Sequence, residues 1–337
     1  MQLPEPRGPL TQALVDALRR GDPEALPAAP PPCDDPLGDE DLQLALWISF
    51  ELHYRGFADA SDEWEWEPAA IGLRRALEQT VLDALRRDVV VPSAPGAVPE
   101  RLAALVAADD GPPLSKYLQL EADHRQFTEF VVHRSIYQLK EADPHSWALP
   151  RLSGPAKAAL VEIQTDEYGN GNLARMHSEL YRKLLRGLGL SDGYGHYVDA
   201  VPAITLALSN VMSLFGLRRE LRGALVGHLA AYEMTSSAPC RRYGKGLRRL
   251  GGDDATCDFF DEHVTADALH EQLAAHDLCG GLATSEPELA EDVLFGAAAC
   301  LHVDVRFAEH VLGAWEAGRS SLRSDEGLAE VAFAAAS

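Results

Sequence analysis

The stretch HVTADALH carries two imidazoles and a carboxylate, His263, Asp267 and His270, spaced four and then three residues apart. At 100° per residue, Asp267 lies about 40° and His270 about −20° from His263, so the three side chains share one stripe of a helix. Phe259 and Phe260 put this stripe beside the apolar face of that helix. Buried ionisable groups are costly unless they are paired or bind a metal. The stretch therefore predicts a metal site, with a solvated polar face as the ordinary alternative.

One helix supplies too few ligands for a metal, and further candidates occur on two other predicted helices. Glu167 and His177 are ten residues apart, which in a straight helix separates them by about 80° and lets both face one cavity. The Gly-Asn-Gly insert between them costs a helix about 1 kcal/mol per glycine relative to alanine. It indicates either a helix distorted near a site or a turn between two helices. Glu141 is expected in the last turn of a third helix, which ends at Pro144, where its charge opposes the helix dipole.

The elements that must position these residues all have the 3.6-residue period of helices, and no segment alternates like a strand. An all-α fold is therefore predicted. The chain divides into a predicted N-terminal helical extension over 1–110 and a main helical domain over 111–337, with no long linker between them. The predicted helices span 10–20, 40–55, 68–88, 99–108, 114–142, 155–188, 202–216, 219–235, 239–250, 255–278 and 286–318.

The composition narrows the class of function. The chain has 337 residues, 46% of them apolar, and a formal charge of −22 from 30 basic and 52 acidic side chains. Nucleic acids and anionic membranes both need a basic surface, so neither is expected as a partner. There is no apolar run long enough to cross a bilayer and no signal-peptide pattern, and the five scattered cysteines are typical of reduced thiols. We expect a cytoplasmic protein.

Three segments of the chain resemble the core of the haem-oxygenase-like diiron oxidases and oxygenases, and most of all their N-oxygenase branch. The segments are HRSIYQLKEADPHSWALPRL, EIQTDEYGNGNLARMHSELY and DEHVTADALHEQ, and the resemblance covers roughly residues 115–320. That family draws three carboxylates and three histidines from its core helices, and this chain has matching residue types at all six positions. These positions are Glu141, Glu167, His177, His263, Asp267 and His270.

The resemblance implies a haem-oxygenase-like helical bundle that binds two labile iron ions per chain and uses O2 as a co-substrate. It also implies a small-molecule substrate and an external electron donor. One iron would take Glu141, His177 and His270. The other would take His263 and Asp267, with Glu167 bridging the two ions or joining the second. A homodimer is the commonest assembly for a soluble protein of this kind.

Three functions are compatible with these features. The resemblance favours a non-haem diiron oxygenase of natural-product biosynthesis, with N-oxygenation of an amine or an amino acid as its reaction. A diiron oxidase that cleaves C–C bonds or desaturates its substrate would use the same ligands. A metal-free helical protein that binds a small molecule or a partner represents another class.

Other polar residues are assigned ordinary roles. His228 and Glu233 diverge by about 140° on their helix, so packing or a place in a substrate pocket is predicted for both rather than ligation. Asp166 is assigned to the helix surface beside the site. The same applies to Glu162 and Tyr168, and structural roles are predicted for His302, Asp304 and His310.

Overall fold

A computed structural model describes residues 1–324, except for the side chains of 265–269. All regular structure in this part of the chain is helical and none of it is strand, so the predicted all-α fold is confirmed. The α-helices are α1 (Pro9–Arg20), α2 (Glu40–Glu51), α3 (Pro68–Asp88), α4 (Val98–Ala107), α5 (Leu114–Leu120), α6 (His124–Gln138), α7 (Asp143–Ser146), α8 (Gly154–Glu167), α9 (His177–Gly187), α10 (Ala203–Leu217), α11 (Arg222–Arg249), α12 (Asp254–Gln272), α13 (Gly281–Ser285) and α14 (Ala290–Glu316). A π-helix, Leu273–Gly280, follows α12 directly.

The predicted helix over 114–142 is two helices, because a strong start signal lies inside it. The Asp123 carboxylate accepts a hydrogen bond from the Gln126 backbone N–H at 2.8 Å, and Gln126 Oε1 accepts one from the Asp123 N–H at 3.0 Å. This reciprocal capping box begins α6. The helix ends at Gln138, so Glu141 lies in the turn beyond α6 and the prediction that it occupies the last turn was wrong.

The predicted helix over 155–188 is also divided, at the Gly-Asn-Gly insert. Gly169, Asn170 and Gly171 all have left-handed backbone angles, with φ of 63°, 54° and 76°. A Cβ on Gly169 would lie 2.6 Å from the backbone of Arg175 and Met176, so only glycine allows this close approach. Of the two interpretations of the insert, the turn between two helices is correct. It brings the last residue of α8 next to the first residue of α9.

The long helix α11 was predicted as two helices, 219–235 and 239–250, and the break between them, just before Pro239, does not occur. A proline in a helix loses one hydrogen bond, and packing against neighbouring helices can compensate for it. α11 packs along α12 and α14. The crossing with α14 is especially close, since a Cβ on Gly227 would lie 1.8 Å from the Val293 carbonyl oxygen.

The core is continuous from the N-terminal helices into the main bundle. α10 is buried from Ala203 to Gly216 and packs against α2, α6, α11 and α14. α2 contributes buried aromatic side chains, and its Glu51 accepts a hydrogen bond from the buried ammonium of Lys140 at 3.3 Å. Helices of the predicted extension over 1–110 therefore share the core with the rest of the chain. No helix within the described residues is long and apolar enough to span a membrane.

Candidate metal centre

A buried cluster of carboxylates and imidazoles lies where the ends of several helices meet. Glu141 comes from the turn after α6, Glu167 from the end of α8, His177 from the start of α9 and His263 from α12. Each offers one oxygen or nitrogen atom, and these atoms lie within 4.8 Å of one another. All four side chains are buried. A metal ion could therefore be held by four elements of the bundle at once.

A second group of potential ligands lies beside the first. Glu167, Glu233 and His270 also place one ligand atom each within 4.8 Å of the others, and all three are buried. Glu233 belongs to α11 and His270 to the last turn of α12. Glu167 is common to both groups, with Oε2 2.8 Å from His177 Nδ1 and Oε1 3.9 Å from His270 Nδ1. Carboxylates and imidazoles that project inward from facing helices are the donors of metal sites in helical bundles.

The structure brings together five of the six residues that the resemblance named. His270 was expected beside Glu141 and His177, but the structure places His263 there. His270 lies instead beside Glu167 and Glu233. The sixth residue, Asp267, falls outside the side chains that the structure describes. The implied division of ligands between two ions therefore differs from the grouping observed among the described side chains.

Glu233 is the residue whose place at the cluster was missed. Its angular distance from His228 on the helix argued for a pocket or packing role. In the structure, His228 contacts His145 on another side of α11, with 3.3 Å between their ring nitrogens. Because α11 is surrounded in its middle part, residues that diverge by 140° can both be buried. The available signal was a single carboxylate directly after the apolar run LVGHLAAY. Asp166, assigned to the helix surface, also contacts the cluster through His270.

The two histidines of α12 are oriented by contacts to their outer ring nitrogens. Nδ1 of His263 donates to the Phe259 carbonyl oxygen at 2.8 Å, which leaves Nε2 3.6 Å from Glu141 Oε1. Nε2 of His270 bonds Asp166 Oδ2 at 3.1 Å, which leaves Nδ1 3.4 Å from Glu233 Oε2. Histidines that bind metals are held in this way, with one nitrogen anchored and the other facing the ion.

Several inward-facing atoms lack hydrogen bonds, which provides a test of whether a metal fits. Among the described residues, Glu167 Oε2, His177 Nδ1 and His270 Nδ1 are buried and form no well-aligned hydrogen bond, although His177 Nδ1 is only 2.8 Å from Glu167 Oε2. A buried polar atom without a partner costs about 1–3 kcal/mol. A cation between these atoms would remove that cost. Carboxylate oxygens with imidazole nitrogens suit iron or manganese, so the residues fit an iron site.

The electrostatics of the cluster are those of an imidazole network surrounding one carboxylate. Burial by itself would raise the pKa of Glu167, but His177, His263 and His270 outweigh burial and lower that pKa to about 2. For His270, burial would lower the pKa, but Glu233, Asp166 and Glu167 raise it to about 9. Burial raises the pKa of Glu141. In the metal-free protein, protonated imidazole thus balances ionised carboxylate, and a metal ion would take over that role and release protons.

A helical bundle with a buried cluster of carboxylates and imidazoles is typical of a metal-binding protein. Residues 128–305, more than half of the chain, match the family model of the iron-containing redox enzymes. The chain belongs to that family, and the resemblance found in the three sequence segments is confirmed. The match runs from within α6 to within α14 and includes every residue of the cluster.

Among curated proteins, the chain is similar to the nitrosourea synthase of Streptomyces achromogenes subsp. streptozoticus. The two are 31% identical over 136 residues, which is 40% of this chain and 29% of that protein. The chain therefore matches less than a third of the length of this relative. Together with the family match, this similarity supports an iron-containing oxidative enzyme.

Proposed function

We propose that this protein is an O2-dependent non-haem diiron oxidoreductase that oxidises a small metabolite. One ion would be held by Glu141, His177 and His263 and the other by Glu233 and His270, with Glu167 bridging them. The observation that carries this proposal is the place of Glu167 in both groups of ligand atoms. Asp267, one turn from both histidines on α12, is proposed as a further ligand. Membership of the iron-containing redox enzymes supports iron as the metal.

When bound, the two ions would supply electrons for the reduction of O2 and open coordination positions. The protein's own residues bind and orient them. The Phe259 carbonyl and the Asp166 carboxylate fix the rings of His263 and His270, so that their free nitrogens face inward. Tyr137 lines a cavity of about 90 Å³ beside the cluster, and burial raises its pKa well above the ordinary value. Its phenol therefore keeps its proton and would be available to donate a hydrogen bond in that cavity.

For the reaction, we propose N-oxygenation of an amine or an amino acid in natural-product biosynthesis. The name of the similar Streptomyces protein refers to nitrosourea formation, which supports oxidation at nitrogen. An external donor would replace the electrons that the two ions supply. C–C cleavage or desaturation would use the same ligands, so the test must identify the product.

The proposal is tested by anaerobic titration of the metal-free protein with Fe(II), followed by exposure to O2 with a panel of amines and amino acids. We expect two iron ions per chain and O2 consumption that depends on one class of substrate. Mass spectrometry then shows whether the product has gained oxygen at nitrogen. Uptake of no iron, or of a single ion that accounts for all activity, would contradict the proposed dinuclear site.

A further inference from the structure

Three adjoining cavities extend from the cluster toward the surface, and the side chain of Arg134 lines all of them. The inner cavity, of about 90 Å³, contacts Glu141, Glu167, Glu233 and His263. The middle cavity, of about 120 Å³, has aromatic walls, and the outer cavity is about 350 Å³. Tyr232 and Ser236 line both the inner and the middle cavity. A small molecule that occupied these cavities would thus contact Arg134.

Arg134 is a nearly buried cation with unused hydrogen-bonding capacity. Its side chain is 18% exposed, and its Nη2 donates to Asp304 Oδ1 at 2.9 Å. Asp304 is its single hydrogen-bonding partner among the side chains that the structure describes, whereas a guanidinium has five N–H donors. The ring of Phe307 covers one face, 4.8 Å from the guanidinium carbon. Arg134 therefore keeps donors available for a ligand in the cavities that it lines.

Asp304 places a second charge at the same point. It lines the middle and outer cavities, and its side chain is 43% exposed, so it too can accept further hydrogen bonds. A simple anion bound by Arg134 would be repelled by this neighbouring carboxylate, and a simple cation bound by Asp304 would be repelled by Arg134. A molecule with adjacent positive and negative groups complements both.

We propose that Arg134 and Asp304 bind the α-carboxylate and the α-ammonium group of an amino-acid substrate, whose side chain extends past Tyr232 and Ser236 toward the cluster. The inference rests on the proposed function, because it takes the cluster as the place of reaction. Charge-assisted hydrogen bonds between a guanidinium and a carboxylate give both affinity and orientation. The pair would thus select the class of substrate and set its distance from the reaction site.

A second Arg–Asp pair offers a matched control. Arg306, from the same helix α14 as Asp304, donates two hydrogen bonds to Asp35, at 2.9 and 2.6 Å. That pair is joined by two parallel bonds and lines none of the three cavities. It has the chemistry of the Arg134–Asp304 pair without the cavity, so variants of Arg306 should not change binding of a ligand in the cavities.

The test is calorimetric binding of the twenty proteinogenic L-amino acids to the metal-free full-length protein, with no turnover involved. Each amino acid that binds is compared with its decarboxylated amine and with its deaminated acid. We expect both analogues to bind at least about 10-fold more weakly. Arg134→Met should weaken amino-acid binding by about 10- to 100-fold, the usual effect of losing a charge-assisted bond. Arg306→Met should leave it unchanged.

A second variant keeps the proposal testable if Arg134→Met does not fold. Asp304→Asn, at a half-exposed position, should reduce the preference for amino acids and increase affinity for the deaminated acids, because it removes the repelling charge. Circular dichroism verifies the fold of each variant. Absence of binding by any amino acid, equal binding of amino acids and amines, or an affinity indifferent to both variants would overturn the proposal.

These outcomes are separable from those of the proposed function. A protein that takes up two iron ions but does not distinguish amino acids from their amines retains the diiron proposal and refutes the amino-acid site. Conversely, a protein that binds amino acids through Arg134 but takes up no iron retains the binding site and refutes the diiron proposal.

Discussion

Glu167→Gln is the substitution that tests the shared carboxylate most directly. The variant keeps the size of the side chain but removes the charge that faces both groups of ligand atoms. If Glu167 bridges two ions, both are lost together. Glu233→Gln removes a ligand from one group alone, and Glu162→Gln, on the exposed face of the same helix α8, serves as the control.

The size of the metal-induced shift in Tm follows from the binding free energy of the ions and from the length of the chain. With free Fe(II) at about 100 times the dissociation constant, each ion stabilises the fold by about 2.7 kcal/mol. For 337 residues the entropy of unfolding is about 0.7 kcal/mol/K, so each ion raises Tm by about 4 °C and two ions raise it by about 8 °C. A 100-fold loss of affinity, the upper range for residues that merely support a ligand, reduces each contribution to about 0.4 kcal/mol.

The assay is anaerobic thermal unfolding of each variant with and without Fe(II), in which only the metal-induced shift is compared. We expect a shift of about 8 °C for the wild type and for Glu162→Gln, about half of it for Glu233→Gln, and about 1 °C for Glu167→Gln. A weakened site is then about half occupied, so iron analysis should give about two, two, one and a half and one ions per chain in the same order. A Glu167→Gln variant that keeps the full shift would refute the bridging role. Equal losses in Glu233→Gln and Glu167→Gln would refute the division into two groups.

Three further predictions concern residues around the site. Burial lowers the pKa of His145 from its ordinary value of 6.5 to about 4, so between these pH values the unfolded chain binds more protons than the folded protein. The free energy of unfolding should therefore fall by about 3 kcal/mol as the pH is lowered from above 6.5 to 4. Urea unfolding of His145→Gln should show a correspondingly smaller fall. Gly169→Ala should destabilise the fold and weaken Fe(II) binding, since a Cβ there would meet backbone atoms 2.6 Å away; unchanged Fe(II) affinity would show that the turn does not position Glu167 and His177. Gly227→Ala should destabilise the protein more than Gly169→Ala does, since the added atom would lie 1.8 Å from the Val293 carbonyl oxygen. Surface substitutions usually change the free energy of unfolding by no more than about 0.5 kcal/mol. A change within that range would show that α11 and α14 can move apart to accept the methyl group.

Local patterns in the sequence determined the helical class, the family and most of the cluster. The 3.6-residue period identifies helices because it reflects burial of one face, and the spacing within α12 put His263 and His270 on one stripe. Both histidines contact the cluster. These features depend on neighbours along the chain, and so they can be read without the tertiary structure.

Only the tertiary structure decided how the helices are rotated and where they end. It placed Glu233 at the cluster, grouped His263 with Glu141, and brought Arg134 of α6 beside Asp304 of α14. Helical periodicity says which side chains share a face, but it does not say which neighbour that face meets. α11 has neighbours on several sides, so its buried positions point to different sites, and a packed fold was required to assign them.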